Sequence, residues 1–86
     1  MDIPYLIDGQ FAVGKAEFTT GVILNNDGTN YKSGSDLSAM YEIFDSYIEA
    51  EKFAGEKIKS NPNIECWIVD SQGSHVITFD KNGERK

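Results

Sequence analysis

At 86 residues and a net charge of −6, with 40% hydrophobic and 12% aromatic residues, the chain has the size and composition of one globular domain spanning residues 1–86. That charge repels a phosphate backbone and argues against nucleic-acid binding, and no apolar run approaches the ~20 residues of a membrane span. One cysteine excludes an intrachain disulfide, and so short a chain has room for a small core but not for a deep pocket of its own.

Residues 1–4 lack the basic start and apolar stretch of a secretory signal, so a cytoplasmic location is expected. "PYLIDGQFAV" reads as a hairpin: Tyr5, Leu6 and Ile7 on one arm, Asp8-Gly9 as the turn, Phe11 and Val13 on the other. "EFTTGVILNNDGTNYKS" reads as a second hairpin. Its strand is Phe18 to Leu24, Gly21 marks a bulge, and Asn25 to Gly28 is the turn.

Residues 35–48 admit two readings. Leu37, Met40, Tyr41, Phe44 and Ile48 fit a helical stripe capped by Ser35. Alternatively Met40 to Phe44 is a strand, with Met40, Glu42 and Phe44 facing away from Tyr41 and Ile43, and a helix begins afresh at Ser46. The second is preferred, because Ser46-Tyr47-Ile48-Glu49 is a capping-box pattern and Asp45 suits the positive helix end. Ala50, Phe53, Ala54 and Ile58 or Lys57 then form the apolar stripe. Lys57 and Lys59 suit the negative end, and Pro62 forces Asn61 out of the helix.

"IECWIVD" and "SHVITFD" form the last hairpin across an Asp70-Ser71-Gln72-Gly73 turn with glycine in the left-handed position. The polar tail "KNGERK" is expected to fray. The predicted fold is α+β: a mostly antiparallel sheet of five to seven short strands with one amphipathic helix (about 46–60) packed on one face.

The residues offer little chemistry. Cys66 and His75, the single thiol and imidazole, fall on opposite faces of the hairpin and form no dyad. They supply too few ligands for zinc, and Asn25 to Gly28 lacks the ligand spacing of a calcium loop. No glycine-rich phosphate fingerprint is present; "KSGSD" has one glycine. The carboxylates of Glu65, Asp70 and Asp80 read as a solvated face. No cofactor, metal or catalytic residue is expected.

Strict alternation puts Ile64, Cys66, Ile68, Val76 and Thr78 on one face of this hairpin. Glu65, Trp67, Val69, His75, Ile77 and Phe79 take the other. One helix covers one face, and the compact first set suits it. Trp67, Ile77 and Phe79, rimmed by Glu65 and His75, are then a candidate protein-binding surface. Two plainer readings compete: the N-terminal hairpins fold over this face, or it pairs with its own copy in a homodimer.

The segment "YEIFDSYIEAEKFAGEKIKSNPNIECWIVDSQG" resembles small standalone bacterial proteins, some of them immunity proteins encoded beside polymorphic toxins. The shared features are a strand ending in Phe, a Ser-x-x-Glu-Ala helix start, an Asn-Pro break and an Ile-Glu-x-Trp strand. They cover less than half of the chain and are structural, so no functional residue carries over. The resemblance bears on the fold more than on the function; the function expected is that of a small acidic, non-enzymatic binding protein, in its concrete form an immunity protein or inhibitor of a toxin or other basic enzyme. Seven acids against two bases in residues 1–45 would steer a basic protein partner. The alternatives are a self-assembling homodimeric domain, or a small-ligand binder at a dimer seam.

Overall fold

The computed structural model describes residues 3–32 and 34–85, at 84 and 85 the backbone alone. Its elements in chain order are β1 (Phe11–Glu17), β2 (Ile23–Leu24), β3 (Glu42–Phe44), α1 (Tyr47–Ser60), β4 (Ile64–Asp70), β5 (His75–Asp80) and β6 (Gly83–Arg85). The strands make one antiparallel sheet in the order β2-β1-β4-β5-β6, and β3 also pairs with β1. With α1 packed across β1, β3, β4 and β5, the fold is the predicted α+β arrangement.

The helix starts where its cap dictates. Ser46 is extended, and its Oγ accepts a hydrogen bond from the Glu49 amide at 3.2 Å. At the other end Asn61 is extended ahead of Pro62. Ala50, Ala54 and Ile58 are buried, and Phe53 packs beside them. The small residues of this stripe let the helix sit close to Val13, Ile64, Cys66, Ile68 and Ile77 of the sheet, which complete the first core.

The opposite face of the sheet is also covered, though not by hairpins. Leu6, Ala12, Met40, Tyr41 and Val69 form a second core, with Ile3, Ile23, Tyr31, Leu37 and Trp67 against it. Two irregular segments supply the cover: the N-terminal strap from Ile3 to Ile7, and a loop that contributes Tyr31, Leu37, Met40 and Tyr41. Asn26 ties the loop down. Its amide nitrogen Nδ2 donates to the carbonyls of Ser38 (3.1 Å) and Tyr41 (3.2 Å), and its backbone N–H donates to that of Ala39 (2.7 Å).

Several expected strands differ, each for a reason of pairing. Residues 5–7 form no strand, although Asp8-Gly9 does turn. Both edges of β1 are occupied, one by β4 along its length and the other by β3 and β2 end to end. Phe18 to Leu24 is not one strand. β1 ends at Glu17, residues 18–20 turn, and Gly21 (φ 75°) closes that turn rather than marking a bulge. The turn at Asn25–Gly28 is as expected, with the Gly28 N–H donating to the Asn25 carbonyl at 3.0 Å. The strand expected over Met40–Phe44 begins at Glu42. A 3-10 turn over Leu37–Ala39 ends in helical backbone at Met40, so Met40 does not alternate with Tyr41 and both enter the second core. The tail does not fray at residues 83–85, which pair with β5 as β6.

The last hairpin turns as predicted. Asp70 Oδ1 accepts from the amides of Gln72 and Ser74, both at 2.9 Å, and Gly73 takes φ 81°, where a side chain would be strained. Beyond the turn lies a β-bulge. Val69 pairs with His75, but Ile68 pairs with Ile77, so Val76 is an extra residue. Every side chain of β5 beyond Val76 is therefore on the opposite face from that expected.

Candidate functional site

The bulge decides which residues share a face with Trp67. Ile77, 6% exposed, belongs to the core beneath the helix, and Phe79 packs against that core. Neither lies beside Trp67, and both are removed from the expected binding surface. The energetic reason is plain. Shifting the register by one exchanges Val76 and Thr78 for the larger apolar Ile77 and Phe79 under α1, which removes more apolar area from water. Thr78 takes the opposite face instead, directly across from Trp67.

The other three expected residues do come together. Glu65, Trp67 and His75 line one cleft of about 340 Å³ on the second face of the sheet, with Tyr41, Thr78 and Ile3 among the further walls. β4 presents Glu65 and Trp67 two residues apart, hence on one side. The bulge brings His75 and Thr78, three apart, onto that same side, where His75 Nε2 and Thr78 Oγ1 share a hydrogen bond of 2.7 Å.

Trp67 is half-buried and tightly positioned. Its cross-strand neighbour on β1 is Gly14. The indole lies against the bare backbone there: a Cβ at position 14 would collide with ring atoms Cζ2 and Cε2. The ring N–H donates to the Tyr41 hydroxyl at 3.3 Å, and the two rings meet edge to face, centroids 6.1 Å apart at 85°. Burial pushes the Tyr41 hydroxyl above its ordinary pKa, and the hydrogen bond from Trp67 offsets this in part, so it stays neutral at physiological pH. The result is an aromatic corner, fixed from behind and open in front.

The chain's one thiol has no part in this cleft. Cys66 is on the far side of the sheet, fully buried, and burial pushes its thiol up to about 11 despite the nearby Lys15 ammonium. A thiol so buried stays protonated at neutral pH and is a poor nucleophile. Its separation from the exposed His75 is as expected. Among the described residues no group of three or more His, Cys, Asp or Glu could hold a metal ion, and no helix is long and apolar enough to cross a membrane.

Reading the sequence missed Tyr41, Thr78 and Gly14 as parts of this site. Thr78 could have been found: His75 and Thr78 are the polar residues of an otherwise apolar run, and both reach one rim only through a bulge. Gly14 within an apolar strand also signals a close approach of something large. No described protein family, curated protein or solved structure matches the chain.

Proposed function

We propose that this is a small acidic, non-enzymatic binding protein that engages a basic protein partner through the Trp67 cleft. The single observation that carries the reading is the seating of Trp67. A half-buried indole held against Gly14 and tied to Tyr41 has little conformational freedom left to lose, so whatever contact area it still presents converts efficiently into affinity. Tryptophan in a polar-rimmed hollow is the residue type that most often anchors an interface. The net charge of −6 would attract a basic partner to the protein and make the association rate salt-dependent. The concrete version is inhibition of a toxin or other basic enzyme, in line with the resemblance of residues 41–80 to immunity-type proteins.

The test is quantitative capture of partners by the wild-type and Trp67→Ala proteins, followed by affinity measurement on whichever basic protein is retained. The expected loss on Trp67→Ala is at least 30-fold, corresponding to about 2 kcal/mol for an anchor residue. Trp67→Phe, which keeps a ring over Gly14 but drops the N–H, should lose less while folding normally. Undiminished affinity in Trp67→Ala would refute the anchor assignment. Retention of only the protein's own copies would point to a self-associating domain instead.

A further inference from the structure

One edge of β1 is covered by two strands placed end to end. β3 pairs with it as far as Val13, and β2 takes over at Lys15, with Gly14 between them. Asn26 follows β2 and reaches the residues that lead into β3. Its backbone N–H donates to the Ala39 carbonyl, and its Nδ2 donates to the carbonyls of Ser38 and Tyr41. A continuous strand would secure that edge by ladder bonds; here one side chain does part of the work.

The other end of the same amide faces the helix side of the sheet. Asn26 Oδ1 accepts from Lys15 Nζ at 2.8 Å. Lys15 is 4% exposed, opposite Cys66 in register, and its ammonium lies 5.6 Å from the centre of the Phe53 ring of α1. This bond decides which way the amide points. Turned over, it would set its NH2 against an ammonium and its oxygen against two carbonyl oxygens, and both ends would repel. With two hydrogens and one oxygen all engaged, Asn26 is left with one arrangement.

Tyr41 connects that arrangement to the cleft on the other side. Its carbonyl accepts from Asn26 at 3.2 Å, and its hydroxyl accepts from the Trp67 indole N–H at 3.3 Å. The Tyr41 side chain between these two bonds is packed in the second core, so a displacement of its backbone carries the hydroxyl with it. Three hydrogen bonds thus lead from a buried lysine beneath the helix to the indole on the opposite face.

We infer that Asn26 is a positioning residue for Trp67, with its own orientation set by Lys15 from the far side of the sheet. Its importance for binding rests on the reading of Trp67 as an anchor. The positioning itself does not, so the test uses no partner, and its failure would leave the capture experiment with Trp67→Ala to stand or fall separately.

The experiment is NMR of the whole chain, following the chemical shift of the indole N–H and its rate of exchange with water; one tryptophan gives one resonance. Asn26→Ala should accelerate the exchange by on the order of tenfold and move the shift toward that of the unfolded protein. Asn26→Asp keeps an oxygen for Lys15 but has no amide hydrogens for the carbonyls of Ser38 and Tyr41. It should act in the same direction, and it is the deciding variant if alanine unfolds the chain. Lys15→Met frees the amide without removing it and should have a smaller effect, about threefold. The comparison is Asn25→Ala, which removes a neighbouring amide bonded within the adjacent turn to Thr29 Oγ1 and the Asn30 carbonyl. It should leave the indole resonance unchanged, whatever it costs in stability. An unmoved indole in folded Asn26→Asp, or an equal response to Asn25→Ala, would overturn the assignment.

Discussion

Replacing Gly14 with alanine is expected to unseat Trp67 and destabilise the protein by about 1–3 kcal/mol, the usual cost of overfilling a packed site. On backbone grounds alone the change should help: glycine in a strand costs roughly 0.5–1 kcal/mol relative to alanine. The collision reverses the sign. A Cβ at position 14 would overlap indole atoms Cζ2 and Cε2 and lie 2.9 Å from Cη2. The ring cannot simply swing aside, because its N–H is held by the hydroxyl of Tyr41, itself 3% exposed. In urea denaturation the midpoint should fall with an unchanged slope. For a domain of this size each kcal/mol lowers Tm by about 4–8 °C. A Gly14→Ala protein as stable as wild type would mean that the indole does not rest on β1.

The second large effect is expected at Met40. It is fully buried and sits in the second core with Leu6, Ala12, Tyr41 and Val69. Met40→Ala should cost about 2–5 kcal/mol, since truncating a buried methionine loses transfer energy and leaves a cavity. Met40→Leu, which nearly conserves volume, should stay within about 1.5 kcal/mol of wild type. The contrast matters because Met40 is carried by an irregular segment. A loop lying loosely on the sheet would tolerate alanine with little change, and that result would remove the second layer from the account.

What could be read from the residues follows from the range of the interactions that determine each feature. The helix was legible because its signals are local. Ser46 and Glu49 are three residues apart, and Pro62 acts on its immediate neighbour. The Asp70–Gly73 turn was legible for the same reason. The strap and the loop were not, because their positions depend on which edges of β1 are already filled. No window of sequence around Tyr5 reports that β3 and β4 flank Phe11 to Val13.

The candidate site was legible in part. Period-two alternation along β4 correctly placed Glu65 beside Trp67 and Cys66 away from it. Across the turn the same rule failed at Val76, because one extra residue reverses every later side chain. Ile77 and Phe79 thereby exchanged a binding role for a place under the helix. The sheet contains both apolar sets and two covered faces, so the bulge is resolved by whole-core packing rather than by local propensity.

The proposed binding role requires Trp67 to be a fixed, half-buried indole on the face of the sheet away from the helix. Trp67 emission and its quenching by acrylamide, followed across a protein dilution series, test it most directly, since the chain has one tryptophan. The prediction is an emission maximum between those of a buried and a free indole, partial quenching, and no change on dilution. A maximum equal to that of the denatured protein would show that the indole is not seated at all. A blue-shifted, unquenched signal that reddens on dilution would place Trp67 in a seam between copies and contradict the account.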